Sequence, residues 1–137
     1  MSYSELVRND YMQKNDFNCA ETMLRAANEA YDIGLSEEAL RAASPFGGGM
    51  GREGACGAMT GALMALGIMR GSGKSHEDPR LGELRDEFVR RFEERFGSTE
   101  CAAIKARHRD PVKNCQVVVE GAAEILEDVL ERSGHRG

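Results

Sequence analysis

Apolar residues recur along this chain at intervals of three and four, and no run of alternating β-branched residues interrupts that rhythm, so the pattern predicts helices throughout. A first helix is expected over Ser4–Lys14, with Leu6, Val7, Tyr11 and Met12 to one side. A second runs Asn18–Tyr31, with Asn18 as N-cap, Glu21 at the capping-box position, and Cys19, Met23, Ala26, Ala27 and Ala30 along one face. Gly34 ends that region. Ser36 followed by Glu37 and Glu38 opens a short helix to about Ala43, which Pro45 closes. After the loop FGGGMGREGA, Ala55–Met69 is uncharged and apolar all round, the pattern of a buried central helix, and Gly57 and Gly61 give it a small-xxx-small face for close approach of a neighbour. RGSGKSHEDP reads as an exposed linker. Arg80–Phe96 carries Leu81, Leu84, Phe88, Val89, Phe92 and Phe96 at helical spacing and stops at Gly97, and a short segment follows over Ser98–Arg107. Asp110 as N-cap and Pro111 at the first helical position predict a last helix to about Arg132, with Cys115, Val118, Val119, Ala122, Ile125, Leu126 and Val129 facing inward. The tail SGHRG is expected to fray. The sum is an all-α fold: one domain over residues 1–137, a bundle of about five to seven helices.

Composition narrows what such a bundle does. At 137 residues and 41% hydrophobic, the chain has the length of one domain with its own core. A net charge of −5 disfavours nucleic acid, whose phosphates call for an excess of Lys and Arg. The N-terminus MSYSELVRNDYMQKND has no apolar core of a secretory signal, and the uncharged run Ala55–Met69 is shorter than the roughly 18–20 residues a membrane span needs. The expected location is therefore the cytoplasm. Thiols are kept reduced there, so Cys19, Cys56, Cys101 and Cys115 read as catalytic, metal-binding or buried before they read as a disulfide frame.

All four cysteines fall at or just after a predicted helix start, where free amides and the positive end of the helix dipole favour a thiolate. Cys56 ranks first. It follows a loop so rich in glycine that residues 47–67 hold half of the chain's sixteen, which calls for a close approach or a left-handed backbone. Taken one at a time, each cysteine reads as a small buried hydrophobe before it reads as chemistry. Their separations of 37, 45 and 14 residues contain no C-x-x-C, so neither a zinc ribbon nor a c-type haem site is encoded locally, and only convergence in space makes a site of them. The glycine loop lacks the Lys-Ser/Thr of a nucleotide-binding loop, which leaves close packing, including the approach of other sulfurs to Cys56, as its better explanation. KARHRDPVK sets Lys105, Arg107, Arg109 and Lys113 around His108: a solvated turn, or a positive patch that lowers nearby thiol pKa values with His108 as base or metal ligand. Met50, Met59, Met64 and Met69 read as core filler.

With NCAETML around Cys19, FGGGMGREGACGAMTGALMALG around Cys56, FVRRFEERFGSTEC leading to Cys101, and Cys115 followed by VVVEGAAEIL, nearly the whole chain resembles the C_GCAxxG_C_C family of redox-active proteins, named for four cysteines and a CGAxxG element. That element is matched by Cys56, Gly57, Ala58 and Gly61. The chain departs from many relatives in carrying Gln116 where they have Pro after the last cysteine. The resemblance implies thiol redox or cluster chemistry. Three readings follow: a cytoplasmic thiol oxidoreductase, with Cys56 attacking, a second cysteine resolving and a small thiol or redox protein as partner; a zinc or iron–sulfur site built from Cys19, Cys56, Cys101 and Cys115, with His108 as a weaker ligand; or a helical interaction module whose cysteines are core. Cys101 and Cys115 are expected as spatial neighbours, with Cys19 and Cys56 at the same end of the bundle, and the glycine-rich face suits a homodimer.

Overall fold

Capping chemistry sets most of the boundaries in the computed structural model, which describes residues 1–133. Eight α-helices follow in order: α1 (Tyr3–Arg8), α2 (Tyr11–Asn15), α3 (Cys19–Ala30), α4 (Glu37–Arg41), α5 (Gly57–Arg70), α6 (Pro79–Phe96), α7 (Cys101–His108) and α8 (Gln116–Arg132). At the start of α3 the Asn18 side chain accepts the Glu21 amide at 2.8 Å while the Glu21 carboxylate accepts the Asn18 amide at 2.8 Å, the reciprocal box expected from the sequence. Ser36 caps α4 and Asp78 caps α6, where Pro79 takes the first turn; Gly97 ends α6 in the left-handed region at φ 84°. Among the described residues there are no β-strands, only two isolated bridges. No described helix is long and apolar enough to cross a membrane. Of the tail expected to fray, residues 134–137 lie outside the described region.

Two expected helices begin or end elsewhere, and the break in the first of them raises the count among the described residues to eight, above five to seven. The first is broken in two because Asp10 takes a left-handed backbone, φ 58°. Its cap is Ser2; Ser4 is buried and donates from its amide and hydroxyl to the Glu127 carboxylate of α8 at 2.9 and 3.1 Å. The last helix begins at Gln116, six residues after Asp110. Asp110 does accept two amides, from Val112 at 2.6 Å and Lys113 at 3.1 Å, but they close a local turn. Asp110 and Asn114 then exchange backbone hydrogen bonds of 2.8 Å, with Asn114 left-handed at φ 55°.

The core forms where α3 lies against α5 and α8 crosses α1, α5 and α6. Gly61 makes the α3–α5 contact: a Cβ there would stand 2.5 Å from the Ala20 carbonyl oxygen and 2.9 Å from its Cα. Phe88, Phe92 and Phe96 stack along α6 with centroids 6.0 and 4.9 Å apart. Contrary to the sequence pattern, α5 is not enclosed on every side. Ile68 is 44% exposed, and α8 buries ten residues where α5 buries seven. The apolar composition of α5 marks a helix with small residues toward its neighbours, not one wrapped all round. Met50 is likewise no core filler, being half exposed.

Candidate functional site

The four cysteines, far apart in sequence, line one cavity of about 420 Å³. Each sits at a helix start: Cys19 and Cys101 are the first residues of α3 and α7, and Cys56 and Cys115 are the N-caps of α5 and α8. Four helix N-termini therefore converge on one chamber. Cys56 and Cys101 are held together by an antiparallel bridge between Ala55 and Glu100, in which the Cys56 amide donates to the Thr99 carbonyl at 2.8 Å and the Cys101 amide to the Gly54 carbonyl at 2.5 Å. That register puts Cys56 and Cys101 on the same face of the bridge as diagonal neighbours.

Glycine supplies the room. A Cβ on Gly57 would run into the Cys19 sulfur, and one on Gly49 would lie 2.8 Å from the Cys101 Cβ. Gly47 is pressed in the same way against the Asn18 side chain that caps α3. Between these contacts, Gly48, Gly49, Met50 and Gly51 run consecutively through the left-handed region, with φ of 63°, 62°, 62° and 71°. A left-handed turn of this length costs any residue with a Cβ, so the glycine density buys a backbone few other sequences can adopt. The Gly54 amide closes the turn onto the Gly49 carbonyl at 3.0 Å, and Lys105 ties it to α7 through the Glu53 carboxylate at 2.8 Å.

All four thiols are free. Cys56 and Cys101 are buried and Cys19 and Cys115 half-buried. Burial pushes the Cys56 thiol up to about 12, outweighing the Ala58 and Met59 amides that favour its anion, and the neighbouring Cys19 and Cys101 push the same way. Burial also raises Cys101 and Cys115, against the pull of Lys105 and Arg109. Burial therefore works against the ranking of Cys56 as the readiest thiolate: the helix-start amides are present, but desolvation outweighs them.

Of the basic segment, Lys105 and Arg109 line the cavity. His108 does not: its ring stands edge-on to Phe96 at 5.3 Å, with Nε2 3.2 Å from the Phe96 carbonyl oxygen, fastening α7 to the end of α6. Cys101 and Cys115 do share the chamber, but Cys115 caps α8 and is not part of its inward stripe. Gln116, where Pro would suit the first helical position, is buried and donates to the Val7 carbonyl at 3.1 Å, joining α8 to α1. Among the described residues no three Cys, His, Asp or Glu side chains stand where one metal ion could be held, so the donor set as arranged does not fit a zinc ion. The sequence reading had no signal for Met12, Phe17 and Val118 as chamber walls, or for Asp16 and Asn114 at its polar side.

A family model described as "Putative redox-active protein (C_GCAxxG_C_C)" matches residues 17–129, a span that includes all four cysteines. The label spells Gly-Cys-Ala where this chain runs Cys56-Gly57-Ala58. No curated protein and no solved structure matches the chain.

Proposed function

The chain belongs to the C_GCAxxG_C_C family of redox-active proteins, and from that premise we propose that it is a cytoplasmic thiol redox protein whose four cysteines exchange disulfides within one chamber. The observation that carries this reading is the convergence of all four thiols, from four helix starts, on a single cavity. Cysteines serving only as core would have no reason to share a chamber. Cys19 is the attacking thiol: it is half-buried where Cys56 is buried, it begins the twelve-residue helix α3, and its sulfur lies against Gly57, beside Cys56 in the chain. Cys56 then serves as the resolving thiol, and Cys101 and Cys115 form a second pair in the same space. A resolving thiol tolerates a high pKa better than an attacking one, because it acts on a disulfide already held within reach.

The test is a limited oxidation. Reduced protein is treated with one equivalent of 2-hydroxyethyl disulfide, free thiols are blocked, and peptides are mapped by mass spectrometry. Cys19 is expected in the first intramolecular disulfide, and Cys19→Ser is expected to slow thiol loss more than tenfold. A first disulfide that excludes Cys19, or unaltered kinetics in Cys19→Ser, contradicts the assignment.

A further inference from the structure

The walls of the chamber carry information about what reacts there. Its volume of about 420 Å³ falls within the range of small-molecule sites, roughly 300–1,000 Å³. Met12, Phe17, Ile104 and Val118 make part of the lining apolar, enough to receive a short carbon chain. The charges on the lining are two cations, Lys105 and Arg109, against one carboxylate, Asp16. Lys105 is already paired with Glu53 at 2.8 Å. Arg109 donates to the uncharged Asn114 Oδ1 at 3.2 Å, and among the described residues no carboxylate lies within ion-pair reach of it. An exposed guanidinium on the lining of a thiol chamber, hydrogen-bonded to an amide and held in no ion pair, suits an incoming carboxylate, which it can meet with two parallel hydrogen bonds.

We infer that the co-reactant of the cluster is a low-molecular-weight disulfide bearing a carboxylate, held by Arg109 while its sulfur meets Cys19. This rests on the thiol-redox reading above. The step balances without a further reagent. The Cys19 thiolate attacks one sulfur of the small disulfide, a mixed disulfide forms on Cys19, and the first small thiolate leaves. The Cys56 sulfur then attacks the Cys19 sulfur, an intramolecular disulfide forms, and the second small thiolate leaves. Two protein thiols lose two electrons, the small disulfide gains them, and the two protons given up by the cysteines end on the released thiols or in solvent.

The experiment compares three disulfides of similar length on the full reduced chain: dianionic 3,3′-dithiodipropionate, neutral 2-hydroxyethyl disulfide and dicationic cystamine. Each rate is divided by the rate with a simple cysteine peptide, which removes differences in intrinsic reactivity. The normalised dianion-to-dication ratio is expected to be about tenfold, built from an attraction and a repulsion each worth on the order of threefold at a solvent-exposed charge. The chain's net charge of −5 acts in the opposite direction, so such a preference is attributable to the chamber. Arg109→Ala is expected to reduce the ratio about threefold. Arg85→Ala, an exposed arginine of α6 paired with Asp86, should leave it unchanged. Raising the ionic strength to about 1 M, where screening acts over about 3 Å, should also flatten the ratio in the wild type. A ratio near one, or one that Arg109→Ala leaves intact, overturns the inference. Failure of the neutral disulfide to oxidise the protein overturns the redox reading itself, so the two failures are told apart.

Discussion

Cys19 and Gly57 make one contact, and the substitution that tests it is the smallest available. Gly57→Ala places a methyl group on the Cys19 sulfur and 3.0 Å from the Phe46 carbonyl oxygen, so a loss of about 1–3 kcal/mol is expected from overpacking, even though alanine is the better helix former. Chemical denaturation measures it, and a variant as stable as the wild type would mean that the sulfur is not held there. Exposure sets a second expectation. In folded reduced protein, brief iodoacetamide treatment should label the half-buried Cys19 and Cys115 before the buried Cys56 and Cys101, with mass spectrometry giving the order. The raised Cys56 pKa adds a pH dependence. Because folding favours the neutral thiol, the stability this contributes is fully present below the unfolded thiol value of about 8.5 and is lost as pH rises toward about 12. Burial raises Tyr3, Tyr11 and Tyr31 as well, so Cys56→Ala should shallow the alkaline loss of stability without abolishing it. The helix-start position of Cys56 was legible in the sequence; its desolvation was not, because dipole and amides depend on local position whereas burial depends on what packs from elsewhere.

Among the elements, the left-handed turn over Gly48–Gly51 is the one whose composition the fold explains most directly. Met50 is the residue in it that carries a side chain, at φ 62° and half exposed. Met50→Gly should therefore stabilise by roughly 0.5–1 kcal/mol, since relief of a left-handed Cβ exceeds the entropy that glycine adds to the unfolded chain while little packing is lost. A melting temperature below that of the wild type would instead show that the Met50 side chain contributes contacts worth more than the strain. Elements with clear local signals were readable in advance: α3 with its reciprocal cap, and α6, expected over Arg80–Phe96 and stopped at Gly97, which gains only Pro79 at its start. The start of α8 was not, because Asp110-Pro111 is equally good chemistry for a turn, and the choice was made by Asn114 bonding back to Asp110. The break between α1 and α2 was hidden because the apolar spacing runs on through it: the left-handed backbone of Asp10 interrupts the helix without changing which positions are apolar.

At the scale of the whole molecule, helical periodicity and the lack of alternating strands were enough to establish the all-α class. The meeting of four cysteines does not follow from separations of 37, 45 and 14 residues alone; it was expected from a bundle that sets Cys101 beside Cys115 and brings Cys19 and Cys56 to the same end, and the chamber supplies its physical form. The close approach of other sulfurs to the CGAxxG element was anticipated from its glycines, and Cys19 against Gly57 is that approach. The central claim is that these thiols form a reversible redox unit. It is tested most directly by equilibrating the protein, without oxygen, against a graded series of thiol–disulfide buffers and counting free thiols at each potential. Thiols are expected to disappear and return in pairs, from four toward none, with midpoints above about −300 mV, as for exchangeable rather than structural disulfides. Four thiols that persist through the most oxidising buffer, or that are lost singly as mixed disulfides without pairing, would contradict it.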